Sequence, residues 1–294
     1  MEVFQDMIGR PENPMLRAAT GLEGGLVARG STCGVVSGGI LGIALNYEKE
    51  IDRVGADAEA KIMETARDYA KWFEKSFGGT RCEGRSGVNW YTSKGQMRYF
   101  FPGGGLARCI SHIGHAADRL QSYRNAPLPL MKGGRAPSTG QYHCALPVLE
   151  NVRRRTGVGD PLLEKMSFVL DGGVAYTGGV CGAVAGAVMA MNLIHGLDVR
   201  HMHYGKTIKT FITGHLNLLR ATPRGMPEPF GIGKEIAERF VGKAGSIDCK
   251  VITGAVFDDG SSFRSYMESS ARCAGLIEAA SDAAVSAVNR WGKK

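Results

Sequence analysis

The chain has 294 residues, of which 44% are hydrophobic and 22% charged, proportions that exclude a disordered or fibrous chain and allow about two domains. The formal net charge of +8 is scattered; only Arg153-Arg154-Arg155 forms a run, and no basic stripe interleaved with aromatics appears, so no nucleic-acid partner is expected. The first residues are acidic and lead to Pro11 and Pro14 instead of a basic-then-apolar signal, which predicts a cytoplasmic location, where seven cysteines point to metal ligands, redox thiols or core residues rather than static disulfides.

In chain order, the first strong feature starts at Leu22 and reads Leu-Glu-Gly-Gly-Leu-Val-Ala-Arg-Gly-Ser-Thr-Cys-Gly-Val-Val-Ser-Gly. It recurs without a gap from Leu170, pairing Glu23 with Asp171, Gly24 and Gly25 with Gly172 and Gly173, Gly30 with Gly178, Cys33 with Cys181 and Gly38 with Gly186 at one constant offset. Small residues then recur every fourth position, Gly30, Gly34, Gly38 and Gly42 in one copy and Gly178, Gly182, Gly186 and Ala190 in the other. On an α-helix that spacing makes one small face, which admits a close backbone neighbour and offsets the roughly 1 kcal/mol cost of each helical glycine. These stretches are read as the central helices of the two copies, packed on each other about a pseudo-twofold axis. Cys33 and Cys181 fall in their first turns, where unpaired N–H groups and the helix dipole favour a thiolate.

Apolar residues at helical spacing run from Ile62 to Phe77, and Cys82 follows after a glycine pair, as Cys249 follows Gly245. Val88 to Phe101, rich in aromatics, reads as a hairpin, and Gly103-Gly104-Gly105 as a turn into the helix carrying the third landmark, Cys109, matched later by Cys273. Glycine, proline, serine and threonine between Gly133 and Gly140 mark a break between copies spanning 1–132 and 141–294. Cys144 precedes Gly172 by 28 residues, and the same count back from Gly24 runs off the start, so the first copy is expected to lack that segment. Gly172 to Leu197 is nearly uncharged and long enough to cross a bilayer, but its glycine breaks and alanine content favour a buried helix without a membrane span. The second copy carries an insertion near 201–233, and Glu268 to Trp291 reads as one long terminal helix. The class is mainly α.

No Cys-x-x-Cys pair occurs, which excludes a zinc ribbon or a haem attachment motif. His112 and His115 share a helix face with Cys109, but Leu276 and Ala279 replace them in the second copy, so a site common to both copies cannot need them. His201 and His203 lie in the insertion and form a candidate specific to that copy.

With these landmarks in place, the second copy resembles the C-GCAxxG-C-C family of redox-active proteins: Cys144, then Val180-Cys181-Gly182-Ala183-Val184-Ala185-Gly186, then Cys249 and Cys273. The first copy is similar to a shortened member, with Ser31-Thr32-Cys33-Gly34-Val35-Val36-Ser37-Gly38, then Cys82 and Cys109. The resemblance implies a helical module of anaerobic redox metabolism in which Cys144, Cys181, Cys249 and Cys273 are the four metal ligands of a small iron–sulfur cluster serving electron transfer to a redox partner protein. Cys33, Cys82 and Cys109 are then an incomplete set of cofactor ligands, completed by another side chain, a substrate or a neighbouring chain of a homo-oligomer. Two further readings stand beside this one. One is metal-free thiol–disulfide chemistry with Cys181 attacking and Cys249 or Cys273 resolving; the other is an assembly protein whose cysteines only pack. No residue is assigned a catalytic role.

Overall fold

Helix-forming stretches punctuated by glycine or proline build both halves of the computed structural model, which describes residues 1–101, 104–128, 142–220 and 229–292. The first half runs α1 (Glu2–Met7), α2 (Asn13–Ala19), a 3-10 turn (Thr20–Leu22), α3 (Gly34–Asn46), α4 (Glu48–Val54), α5 (Ala56–Phe77), α6 (Cys82–Ser86), α7 (Ser93–Phe100) and α8 (Gly105–Gln121). The second half runs α9 (Leu146–Thr156), α10 (Pro161–Met166), a 3-10 turn (Ser167–Leu170), α11 (Gly182–His195), α12 (Tyr204–Leu218), α13 (Pro229–Ala244), α14 (Cys249–Thr253), α15 (Gly260–Ser269) and α16 (Ala271–Trp291); it follows the first-half order except that α4 has no counterpart and α12 lies in the expected insertion. The protein is mainly α; its only β pairing among the described residues is two isolated antiparallel bridges, Thr32 with Arg81 and Val180 with Asp248. No described helix is long and apolar enough to cross a membrane. The expected break at 133–140, Gly103 of the glycine turn and residues 221–228 of the expected insertion lie outside the described residues.

Local sequence explains most boundaries. In α5 the residues Ala58, Ile62, Ala66, Tyr69 and Phe73 recur on one buried face, and left-handed Gly78 ends the helix. The expected hairpin over Val88–Phe101 is overturned: Thr92 accepts a bond from the Gly95 N–H and starts α7. Buried Gln96 then bonds the Trp90 carbonyl, so the preceding loop is satisfied without a strand partner. The expected long terminal helix is α16, which starts at Ala271 rather than Glu268 because α15 ends at Ser269 and Ser270 accepts from the Cys273 N–H and caps α16 afresh.

The core is continuous across both copies, and its axis is α3 and α11. Every residue from Val36 to Leu45, and from Gly182 to Asn192, is buried. The central helices do not pack face to face on each other as expected; each lies instead on the segment that leads to the other, α11 on α2 and the Thr20–Leu22 turn, and α3 on α10 and the Ser167–Leu170 turn. Gly21 approaches Val188 and Asn192 so closely that a Cβ would overlap them. The glycine row of each helix faces its own copy. Gly38 and Gly42 lie against Met1 and Phe4 of α1, and Gly186 against Ala145 at the start of α9. Met1 therefore stands where Ala145 does, and α1 is the shorter counterpart of α9, a segment that counting along the sequence placed off the start.

One backbone feature sets the position of everything around the cysteines. Gly24, Gly25, Leu26, Val27 and Ala28 all have positive φ (42 to 76°), as do Gly172, Gly173, Val174, Ala175 and Tyr176 (51 to 81°). Each run is a turn of left-handed helix, closed by bonds such as Val27 N–H to the Gly21 carbonyl and Ser31 N–H to the Gly25 carbonyl, with Ala175 to Val169 and Gly179 to Gly173 in the second copy. Left-handed geometry costs a non-glycine residue about 1–2 kcal/mol. The three in each run are almost wholly buried, which offsets that cost.

The two bridges then stand back to back. Asp248 accepts from the Ser31 hydroxyl and from Arg81, and the Val180 N–H donates to Thr32 Oγ1 at 2.9 Å, so each bridge holds the other copy's bridge.

Two stability outcomes follow from these contacts. Gly78→Ala, left-handed but with open space around it, is expected to cost about 1 kcal/mol; Gly25→Ala, whose Cβ would meet Ser31 backbone atoms at 2.5 Å, costs markedly more, as read by urea unfolding. Asp248→Ala, which strands the Ser31 hydroxyl in the interface, is expected to lose about 2 kcal/mol, whereas Arg81→Ala, at a side chain 51% exposed, loses less than about 1 kcal/mol in the same assay.

Candidate functional site

Thr32, Arg81, Val180 and Asp248 carry the contacts between the copies, and the residue after each opens a helix of its own copy: Cys33 caps α3 and Cys82 starts α6 in one, Cys181 caps α11 and Cys249 starts α14 in the other. Their backbones are held directly. The Cys33 N–H donates to Thr80 (2.8 Å) and that of Cys82 to Ser31 (2.7 Å); the Cys181 N–H donates to Ile247 (2.7 Å) and that of Cys249 to Gly179 (2.6 Å). The two cysteines of a pair therefore flank one bridge. All seven cysteines are free.

In the second copy the pair is joined by Cys144, whose Cβ packs against Gly182, and by Cys273 in the first turn of α16. Burial pushes the Cys181 thiol up to about 11, against the pull of the Ala183 and Val184 N–H groups at the start of α11. Burial also raises Cys144 and Cys249, and the charges of the neighbouring thiols add to it: Cys144 feels Cys181, Cys249 and Cys273 together. Cys144, Cys181 and Cys249 are thus held toward the neutral form by burial, and their charges act on one another, with Cys273 as a further neighbour. Among the described residues no three His, Cys, Asp or Glu side chains converge into a metal-holding group. Asp171, buried, accepts from the Cys144 N–H and from His143 Nδ1, both at 2.7 Å, and so fixes the approach to Cys144. Burial works against the His143 cation, but the bond to Asp171 and its charge outweigh it and raise the imidazole pKa.

The first copy is built alike but left open. Burial, helped by Cys33 and Cys109, pushes the Cys82 thiol up to about 12, opposed by the Trp90 indole; burial raises Cys109 too, opposed by the Tyr99 hydroxyl. A cavity of about 480 Å³ separates these groups, with Cys33, Cys82, Cys109, Glu23, Trp90 and Tyr99 among its walls. Glu23 stands at the Asp171 position and projects into this space. Its side chain lines the cavity and is 36% exposed, and its partial burial among protein atoms raises its pKa to about 8. His215 of α12, wholly buried, lies with Nε2 3.5 Å from Glu23 Oε1. Its Nδ1 must carry a proton, since it meets the Phe211 carbonyl at 2.8 Å, and burial lowers its pKa; the neutral ring therefore turns an acceptor toward a carboxyl that burial keeps protonated.

The cysteines singled out in the sequence thus form two groups, Cys144 with Cys181, Cys249 and Cys273, and Cys33 with Cys82 and Cys109. The histidines go elsewhere. His112 stacks on Phe77 beside Arg85, exposed His115 bonds the Ser111 carbonyl, His201 pairs with Asp198, and His203 caps α12. Sequence reasoning missed the roles of Glu23, Asp171, His143, Trp90, Tyr99 and His215. The acid repeated within Leu-acid-Gly-Gly was the available signal for the first two; the rest meet the thiols only in three dimensions.

Residues 1–123 and 142–287 each match the family described as "Putative redox-active protein (C_GCAxxG_C_C)". No curated protein and no solved structure matches the chain.

The raised Glu23 pKa has a signed consequence. Between its ordinary value of 4.5 and about 8 the folded protein holds a proton that the unfolded chain has released, so stability contributed by this group is present at low pH and is lost as pH rises through that window. Glu23→Gln is expected to flatten the decline, measured as urea midpoints at a series of pH values; an unchanged slope would remove Glu23 as its source.

Proposed function

The chain belongs to the C_GCAxxG_C_C family of redox-active proteins, and on that premise we propose that the four thiols of its second copy hold a cysteine-ligated iron–sulfur cluster that exchanges electrons with a redox partner protein. The observation that carries this reading is that the Val180–Asp248 bridge sets Cys181 and Cys249 side by side at the starts of α11 and α14, where the charges of Cys144 and Cys273 also reach them. Thiolates are the donors that iron–sulfur centres take. Bound iron would supply the positive charge that lets the thiols, three of them buried, lose their protons together, and a one-electron couple.

The chain's own residues supply the rest. The bridge holds Cys181 and Cys249 at fixed positions, the Asp171–His143 pair pins the backbone of Cys144, and the Ala183 and Val184 N–H groups face the Cys181 sulfur, where they favour its thiolate. Cys273, half-buried at the start of α16, gives the pocket its edge toward solvent. Metal-free exchange with Cys181 attacking is less well supported, because burial holds that thiol near its neutral form, with a pKa of about 11.

Iron and acid-labile sulfide analysis of protein isolated under anaerobic conditions tests the reading. Wild-type protein is expected to be coloured and to carry both elements. Cys181→Ser and Cys249→Ser should lose them while keeping wild-type helicity by circular dichroism, and Cys82→Ser in the first copy should retain them. Colourless, iron-free wild-type protein from such a preparation would overturn it.

A further inference from the structure

The two copies treat the same space differently. In the second, Cys144 packs against Gly182 and closes the thiol pocket; in the first, the nearest neighbours of the equivalent Gly34 are the backbone of Leu22 and Glu23, and the space beyond is the 480 Å³ cavity. That volume falls within the range of about 300–1,000 Å³ usual for small-molecule sites. Its walls are largely apolar, with Val35, Leu106, Ile110, Ile113, Leu120 and Phe211 among them. Ile110 and Ile113 are 61% and 48% exposed, an apolar stretch of α8 at the cavity that the chain's own packing leaves uncovered.

The polar groups in the cavity are few, and one lacks a strong partner. The Trp90 ring is buried and its Nε1–H makes no hydrogen bond of normal geometry; the group nearest to accepting it is the Cys82 sulfur, a weak acceptor. A buried donor left unpaired costs about 1–3 kcal/mol, so a ligand that brings a stronger acceptor there is favoured. No lysine or arginine is among the lining residues; the acids there are Glu2 and Glu23, and burial lowers the pKa of the Met1 amine and so disfavours its cation, which leaves an anionic ligand with little counter-charge. Trp90 and Tyr99, with ring centroids 4.3 Å apart, and Phe211 supply aromatic surface suited to a flat molecule.

We propose that the first-copy cavity binds an uncharged, largely apolar ring compound bearing a hydrogen-bond acceptor such as a ring carbonyl, with the acceptor on Trp90 Nε1 and the ring edge over Cys33, Cys82 and Cys109. The cavity belongs to a different copy from the proposed cluster, so the inference stands whether or not the second copy holds iron.

The probe is 2,3-dimethyl-1,4-naphthoquinone, whose substituted ring positions do not add thiols, applied to the full chain by equilibrium dialysis with free thiols counted before and after. One equivalent per chain is expected to bind, with the thiol count unchanged. Anthraquinone-2-sulfonate, anionic and equally unable to add thiols, should bind at least tenfold more weakly. Trp90→Phe, which keeps the ring and removes the donor, should weaken the neutral probe about tenfold. Ala117→Phe, which fills the cavity, should abolish binding, and Ile113→Trp at a more exposed wall position should do so even if Ala117→Phe fails to fold. Absence of probe binding, equal binding of the sulfonate, or unchanged binding by folded Ile113→Trp would each overturn the proposal. Iron-free protein should bind the probe as well as iron-loaded protein, which separates this outcome from that of the cluster.

Discussion

The left-handed turn at Gly24–Ala28 and Gly172–Tyr176 is the constraint on which both sites depend. It reverses the chain between the 3-10 turn and the central helix, so that the acid before it and the cysteine after it end up beside the same pocket. A right-handed turn would send the following segment elsewhere and leave no partner for the Cys82 or Cys249 segment. Three side chains per copy sit in a conformation that L-residues avoid, and they do so only because the core encloses them almost completely. Strain at the backbone and burial of the side chains are therefore two sides of one device, and the thiol positions inherit its rigidity.

From that device the bridges follow. Each is a single β pair, too short to count as a sheet, yet it sets two cysteines side by side. One residue of every pair is spent on the contact between copies, and its neighbour on the thiol pocket. The association of the copies and the placement of the cysteines thus share the same short segments. The ion pair of Arg81 with Asp248 sits at that junction.

The repeat, the central helices and the two cysteine groups were legible from glycine and cysteine spacing, because those residues carry periodicity and chemistry on their face. Other parts were not. Leu26-Val27-Ala28 looks like ordinary core, and nothing in those residue types announces positive φ; only burial by distant elements holds them there. The aromatics of Val88–Phe101 carry strand propensity, but one threonine cap and one buried glutamine decide for a helix. The break before α16 hung on Ser270. The counterpart of α9 was hidden because α1 is shorter and sits at a different offset, which a gap-free alignment cannot follow. The cavity was illegible for a deeper reason: its walls come from both copies, Phe211 reaching it from α12 while His215 meets Trp90 and Glu23.

That last contact bears on why the two modules share a chain. In a symmetric pair of separate identical subunits, any extra helix appears twice and meets both pockets alike. Here α12 is present once and lies over one pocket, while α5 of the other half reaches the region around Asp171 and His143 through Glu59 and Met63. Covalent fusion is what allows such one-sided furnishing: each module can be altered for its neighbour's benefit, and two descendants of a common ancestor can take up different duties at a guaranteed one-to-one ratio.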